Sequence, residues 1–331
     1  MRRFLLNRLA MMLVVLLAMT LVVFLLRQVV PSDPARAAVG PNAPPSAVEA
    51  ARHVLGLDQP VYAQYINYLG QLLHGNLGTS TRTLNPVASD IAVYLPASLE
   101  LIIFAILIAV AFAFALAFGQ TLFKHSGFLR VLLLSGASAP IFLTAQLLLL
   151  LLWFKLGWLP SGGRTQVPDA PTGPTGLLTV DSLVNGRFDV LWDALAHLLL
   201  PALTLGLPMG VAVGRVLQSS LVGTLRQDYI RTARSKGLNG LQVVRRHALR
   251  NSATGPLAMG GLQVGLMLAN ILIVERIFAW PGLGLYTVES LGNSDLNAVL
   301  GIALVFGAAF IVVNTMVDLA QAIADPRVAL E

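Results

Sequence analysis

Residues 231–251, RTARSKGLNGLQVVRRHALRN, sit between two stretches apolar enough to live in lipid, yet carry six basic residues, two glycines and no acid. The segment just before and within it, LRQDYIRTARSK (225–236), predicts a helix with Leu225, Tyr229 and Ala233 along one side. Lys236 stands in its last turn, where a cation suits the helix dipole, and Gly237 follows as the stop. Asn239 then caps a second helix, with Gln242 three residues on to complete a capping box. Leu241, Val244 and Ala248 form the apolar face of that second helix, and Arg246 and Arg250 point elsewhere. Positive charge alone would only mark a cytoplasmic loop. Two capped helices hinged at glycine are more than topology needs. They make a docking knuckle that a cytoplasmic partner could grip and move as a lever.

The rest of the chain decides where that knuckle lies. Of 331 residues, 56% are hydrophobic and 11% charged, against roughly 25% charge in a soluble domain. Charge-free windows run 9–26, 101–123, 131–154, 194–214, 251–274 and 296–317. Each is close to the ~20 apolar residues that cross a hydrocarbon core. The expected fold is an all-α polytopic membrane protein with six transmembrane helices. An even number of spans puts both termini on one side. If that side is the cytoplasm, the inside segments hold 14 of the 22 Lys and Arg residues and only four acids, Asp228, Asp318, Asp325 and Glu331. The bias orients the termini and the knuckle inward. The first 26 residues also resemble a secretory signal, with ARA at 35–37 as a cleavage site, but the apolar run of 18 exceeds the 7–15 typical of one. An uncleaved anchor is expected.

The expected organisation is an anchor helix over 1–29, an external helical segment over 30–97, and a five-helix core over 98–331 containing the cytoplasmic loop 218–250. In the external segment, SAVE (46–49) reads as a capping box and Gly56 as a helix terminator. Tyr62, Ile66, Leu69 and Leu73 then recur at helical spacing as one apolar stripe. That pattern suits a helix on the membrane surface or over the other spans, with a substrate-contacting role as the alternative. The second outside loop, about 155–193, is rich in Gly and Pro and reads as a turn-rich excursion. It could cap a vestibule, touch an external partner, or serve as spacer.

Polar residues inside spans are functional candidates. Gln263 and Asn270 share a face of the fifth span, with Gly260 and Gly265 nearby, and could line a pathway or hydrogen-bond between helices. Asn314 and Asp318 in the sixth could pack or gate. Glu275 and Arg276, at the outer end of the fifth, read as an interfacial anchor or an outer gate. Pro140, Pro201 and Pro208 should interrupt spans three and four. His197, before a proline, reads as structural. With no cysteine, disulfides and thiolate sites are excluded, and histidines 53, 74, 125, 197 and 247 lack zinc-site spacing, so no metal site is expected. The positive charge lies in loops and calls for no nucleic acid. No G-x-x-x-x-G-K-[ST] is present, so the chain cannot cradle ATP itself. A secondary transporter would need internal repeats and mid-membrane ionisable groups, and a membrane enzyme a convergent acid–base or metal cluster. Neither pattern is seen. A sensor or scaffold is not excluded by a docking loop alone.

DYIRTARSKGLNGLQVVRRHALRNSATGP (228–256) resembles the EAA loop of ABC-importer permeases, in the form used by the dipeptide/oligopeptide/nickel branch. Thr232-Ala233-Arg234 stand where the motif has Glu-Ala-Ala, Gly237 is its glycine, and RHALRN (246–251) with Pro256 continues it. The glutamate is missing, and SATGP replaces the usual aliphatic-Pro ending. VVPSDP (29–34), LGLDQPVYAQYINYLGQLLHGNLGTS (55–80), HLLLPALTLGL (197–207), ERIFAWPGLG (275–284) and VDLAQAIADPRV (317–328) match the same branch. The resemblance implies a type I ABC-importer permease fold and a B-type subunit, the one with the extended external segment. It also implies a bacterial inner-membrane location, a homologous C-type permease and two cytoplasmic ATPases that bind ATP-Mg. An external substrate-binding lipoprotein would deliver peptides or, alternatively, a nickel chelate or other small solute. ATPase coupling then falls to Tyr229, Arg231, Thr232, Ala233, Arg234, Lys236, Gly237, Leu238, Arg246 and His247. Gln263, Asn270, Asn314 and Asp318 are the pathway candidates, and Glu275 and Arg276 the outer-gate candidates.

Overall fold

The computed structural model describes residues 2–29, 34–40, 42–54, 56–122 and 139–324. Among them the regular structure is helical, apart from one isolated bridge between Thr79 and Pro86. The first helices are α1 (Arg2–Val29), α2 (Pro34–Val39), α3 (Pro45–Val54), α4 (Val61–Leu73) and α5 (Val87–Leu122). Next come α6 (Ile141–Leu148, running on as a π-helical segment Leu149–Lys155), α7 (Leu178–Val184), α8 (Phe188–Leu225) and α9 (Asp228–Ser235). They are followed by α10 (Gly240–Val243, running on through a π turn Val244–Ala248 to Leu249–Asn251), α11 (Thr254–Ile277), α12 (Leu283–Gly292) and α13 (Leu296–Ala324).

Four of these helices, α5, α8, α11 and α13, are long and apolar enough to cross a membrane. They carry the second, fourth, fifth and sixth expected spans. The first falls on α1, whose apolar part Ala10–Leu26 is shorter. The third falls on α6 and its π extension, and its expected first half lies outside the described residues. Helix α5 starts at 87 rather than near 101 because Asp90 and Glu100, which look like boundary charges in the sequence, are buried with partners. Pro201 and Pro208 sit inside a continuous α8, whereas Pro140 interrupts nothing described and stands at the N-cap of α6.

The chain divides into two compact units. One comprises 94–286 with 310–331, the other 2–93 with 287–309. In the first, α8 is the central helix, packed against α6, α7 and α11. Lipid supplies no hydrophobic drive between helices, so close approach relies on small residues. Gly206, Gly210 and Gly214, four apart, lie on α5 at Ala105, Ala109 and Ala113. A Cβ on Gly206 would stand 2.6 Å from the Ala105 carbonyl oxygen, and one on Gly210 2.9 Å from that of Ala109. On α11, Gly261 and Gly265 admit Val317 and Phe310 of α13 in the same way.

In the second unit, α3 starts at Pro45, a residue preorganised for a first helical position. Ser46 is therefore already inside the helix, and the expected capping box does not form there. Gly56, at φ +64°, ends α3 as expected: its N–H and that of Leu57 donate back to His53 and Arg52 carbonyls in a Schellman closure. Gly75 closes α4 the same way. Beyond it, Ser80 donates to the buried carboxylate of Asp295, whose other oxygen accepts the Ala298 N–H and caps α13. Arg82 pairs with Glu289 at 3.0 Å.

Candidate functional site

The knuckle forms between α8 and α11. Gln227 takes an extended conformation and starts α9, with Asp228 in the first turn where a carboxylate suits the dipole. Gly237, at φ +85°, ends it: the Leu238 N–H reaches the Ala233 carbonyl at 3.4 Å and the Gly237 N–H that of Arg234 at 2.9 Å. No atom lies within 4 Å of where a Cβ on Gly237 would stand. Backbone conformation, and not space, selects glycine there. The expected capping box is present, with the Gln242 N–H donating to Asn239 Oδ1 at 2.9 Å and the Asn239 N–H to Gln242 Oε1 at 3.0 Å.

The apolar faces match the expected ones in part: Leu225 and Ala233 pack together, as do Val244 and Ala248 with α8, but Tyr229 and Leu241 do not join them. On α9, Ile230 and Ala233 are buried and Tyr229 is exposed; on α10, Val243 is fully buried while Leu241 is 76% exposed. Leu225 belongs to α8, so α9 has its own phase. The π turn at Val244–Ala248 accommodates an extra residue and shifts the second helix's face. Ile230, Ala233 and Val243 form a small core of their own with Leu225 and Leu238. Ala248, also fully buried, packs on Leu217 and Leu221 of α8 and Ala117 of α5. Asn251 Nδ2 donates to the Tyr229 hydroxyl, and Ser252 to Thr224, each at 2.9 Å. The knuckle is thus one rigid piece bolted to two long helices.

Of the ten expected coupling residues, Tyr229, Arg231, Thr232, Arg234, Lys236, Gly237 and Arg246 face solvent, and His247 is half-buried. Ala233 and Leu238 instead belong to the knuckle's own core. Among the described residues, no acid pairs with Arg231, Arg234, Lys236, Arg245, Arg246 or Arg250. The outcome is an exposed cationic surface on a stiff support.

The pathway candidates are half-buried. Asn270 donates to the Leu266 carbonyl at 2.9 Å and Asn314 to that of Phe310 at 3.0 Å, while Gln263 contacts Met259 Sδ at 3.9 Å. Each of these bonds stays within its own helix. No interhelical bond from these amides occurs among the described residues. Gln263 and Asn270 lie across α11 from Gly261 and Gly265, which pack on α13. Gly260 faces open space, unlike Gly265.

At the far end of α11, Glu275 and Arg276 part ways. Arg276 is exposed, and Glu275 is fully buried, so it is no interfacial anchor. Its carboxylate accepts from Ser98 Oγ at 2.6 Å and from the N–H groups of Gly284 and Leu285 at 2.7 and 3.0 Å, capping α12. Ser98 Oγ in turn accepts the Leu283 N–H at 2.8 Å, and the Trp280 indole donates to the Ala97 carbonyl at 2.9 Å. A Cβ on Gly282 or Gly284 would press into the Glu275 carboxylate. Beside this clasp, Glu100 accepts from Arg164 at 2.5 Å and from the Thr179 N–H and hydroxyl at 2.7 Å each. The Arg164 guanidinium lies 5.8 Å from the Trp280 ring centroid, within cation–π range.

Sequence reasoning missed Ser98, Glu100, Arg164 and Trp280. Only the Trp-Pro-Gly-x-Gly run hinted at a tight corner. The loop over 155–193 is tied down rather than free: Thr165 and the Gln166 N–H donate to Asp193 at 2.6 and 2.7 Å, and Thr175 to the buried Asp181. His197 is buried in α8 with Nδ1 on the Asp193 carbonyl at 2.8 Å, matching its structural reading.

A family model described as "Binding-protein-dependent transport system inner membrane component" matches residues 111–330, and its N-terminal companion matches 1–102. A probable D,D-dipeptide transport system permease protein of Escherichia coli K12 is 38% identical over 93% of this chain and 92% of its own length. The dipeptide transport system permease protein of Alkalihalophilus pseudofirmus is 36% identical over 97% and 98%. The di/tripeptide transport system permease protein of Pseudomonas aeruginosa is 37% identical over 98% of each chain. With long apolar helices, a capped basic knuckle and matches covering nearly its whole length, this chain belongs to the inner-membrane components of binding-protein-dependent transport systems, the permeases of ABC importers.

Proposed function

We propose that this permease carries peptides, and that it works as the B-type half of a pair, with a homologous C-type permease, two cytoplasmic ATPases and an external binding lipoprotein. The names of relatives that span nearly the whole chain favour di- and tripeptides over a nickel chelate. Both termini and the knuckle face the cytoplasm, as the positive-inside bias requires.

One observation carries the mechanism: the knuckle has its own core, presents its cations outward, and is fastened through Ala248 to α8 and α5. A cleft on an ATPase would receive the exposed face of α9, with Arg231, Thr232 and Arg234 at the contact. Closure of the ATPase pair around ATP would then move α8 and α5 as levers. Gln263 and Asn270 on α11, with Asn314 and Asp318 on α13, line the passage. The clasp around Glu275 keeps the outer ends of α5 and α11 together and sets the outer gate.

The test is Gly237→Val in the reconstituted complex. A β-branched residue at positive φ costs roughly 1–3 kcal/mol and meets no steric obstacle here, so the strain falls on the corner alone. Uptake of a labelled dipeptide should drop at least about tenfold, the equivalent of ~1.4 kcal/mol, while ATP hydrolysis persists. Wild-type rates for both would remove the lever role. Wild-type preference for a nickel chelate over dipeptides would overturn the substrate and leave the lever standing.

A further inference from the structure

Helix α4 has three sides. Tyr65 and Tyr68 pack at a tilt against Phe24 of α1, with ring centroids 5.3 and 5.9 Å away. At 3.6 residues per turn, Tyr62, Ile66, Leu69 and Leu73 form a stripe about 100° round in one direction, and Gln64, Asn67 and Gln71 a stripe about 100° round in the other. The first stripe is apolar but unpartnered, with Tyr62 71%, Ile66 63% and Leu73 87% exposed.

The contacts with α1 give this helix a depth and a direction. The Tyr65 hydroxyl donates to the Leu17 carbonyl at 3.2 Å and lies 3.0 Å from the Thr20 hydroxyl. Gln64, on the polar side, accepts from Gln28 at 3.1 Å. Leu17 lies midway along the charge-free stretch bounded by Arg8 and Arg27. It is ten residues below Arg27, on the order of 15 Å at 1.5 Å per residue. That is half the ~30 Å hydrocarbon thickness. A tyrosine side chain is much shorter than 15 Å, so the α4 backbone at residue 65 lies below the level of Arg27. The apolar side of α4 therefore looks toward the membrane centre and the polar side toward water.

We infer that α4 is embedded flat in the outer leaflet, flank against α1, with Tyr62, Ile66, Leu69 and Leu73 in contact with lipid acyl chains. The order of sides (apolar below, α1 beside, polar above) is what a helix at the water–lipid boundary requires. A helix folded back over the external face would show the opposite order, with its polar stripe toward Leu17. The external segment is thereby held to the bilayer through its own side chains as well as through α1.

The chain has no cysteine, so single substitutions can be labelled directly. Tyr62→Cys, Ile66→Cys, Leu69→Cys and Leu73→Cys, with Asn67→Cys and Gln71→Cys as the polar side, would carry nitroxides in the full chain. The chain would sit in its assembled complex, in phosphatidylethanolamine–phosphatidylglycerol vesicles. The ratio of oxygen to nickel-chelate collisions should be several-fold higher on the apolar stripe than at Asn67 and Gln71, because oxygen concentrates in the acyl region and the polar chelate stays in water. Equal ratios on both stripes would mean a water-exposed helix and overturn the inference. Low collision with both reagents on the apolar stripe would mean a protein cover, a second permease or the binding protein, and overturn it equally. As a check free of substitutions, a photoactivatable phospholipid should leave adducts within 61–73 of the unmodified chain. Adducts on α1 with none on α4 would also defeat it.

Discussion

The basic knuckle and the Glu275 clasp are built on inverse plans. In the knuckle, small apolar groups (Ile230, Ala233, Val243, Ala248) turn inward and every charge but Asp228 is a cation held in solvent. In the clasp, charge and hydrogen-bonding groups turn inward: Glu275, Ser98 and Glu100 are buried and bonded, the two carboxylates each with at least one donor far along the chain. Apolar packing tolerates small rearrangement, whereas a buried carboxylate bound by three donors has one geometry and is expensive to open. The difference suits the roles proposed above, a part pushed by a partner and a part that holds still.

The largest expected effect breaks the clasp. Glu275→Leu removes the acceptor for Ser98 Oγ and for the N–H groups of Gly284 and Leu285. Each orphaned buried donor costs ~1–3 kcal/mol, and no water replaces the carboxylate in so tight a corner. The detergent-solubilised protein should lose about 3 kcal/mol or more of stability on the same grounds, read as a lower midpoint in thermal unfolding. Glu275→Gln retains one acceptor oxygen and should fall between. A midpoint unchanged in Glu275→Leu would mean that this corner is held by Trp280 and packing alone.

The equivalent insult to the knuckle should be gentler and of another kind. Ala248→Leu inserts three carbons against Leu217, Leu221 and Ala117. Overpacking of this sort costs ~1–3 kcal/mol, relieved here by lifting the second knuckle helix away from α8. The expected result is near-normal assembly in the membrane with a several-fold loss of uptake. If the variant transports normally, the path from knuckle to α8 does not run through this contact.

The two regions also differ in how far the sequence reveals them. The knuckle's hinge, its stop at Gly237 and the Asn239–Gln242 box are all local, within four residues, and each was legible. So were the four spans carried by α5, α8, α11 and α13. In the second knuckle helix Val244 and Ala248 pack inward as read, but Val243 takes the buried place read for Leu241, because a π turn at 244–248 leaves no mark in a 3.6-residue pattern. The clasp was hidden for a different reason: Ser98 and Glu275 are 177 positions apart, and Glu100 lies 64 from Arg164 and 79 from Thr179. Unpaired in the sequence, Asp90 and Glu100 looked like span boundaries, which displaced the predicted start of α5. The Gly206, Gly210 and Gly214 spacing was visible as letters, but its partner stripe on α5 could be identified only once the helices were adjacent.

Phase can be tested directly, at smaller amplitude. Val243→Ser places a hydroxyl in a core that has no partner for it, while Leu241→Ser changes a side chain already 76% exposed. The first should destabilise the knuckle by ~1–3 kcal/mol, and the second should be neutral within ~0.5 kcal/mol. Amide hydrogen exchange across 228–251 would separate them, with faster exchange only in Val243→Ser. The opposite order would restore the uninterrupted helical phase and remove the π turn from the account.

The smallest effect comes from a carboxylate in the reverse situation to Glu275. Asp58, exposed at the end of the α3–α4 corner, accepts from His53 Nδ1 at 2.7 Å. That hydrogen bond holds its carboxyl below the usual carboxylate range. A depressed folded-state value means that the pair stabilises the corner above the unfolded aspartate's pKa, and that this contribution fades as pH falls through the lowered value. Both side chains are largely in water, where screening leaves such pairs little net worth. Asp58→Asn should therefore leave unfolding and uptake at neutral pH within error of wild type. Its one measurable trace should be a slightly shallower fall of thermal stability on acidification, because the variant has no carboxylate at 58 left to protonate. A large neutral-pH destabilisation would mean that this surface pair, like the clasp, is closed to solvent in the assembled protein.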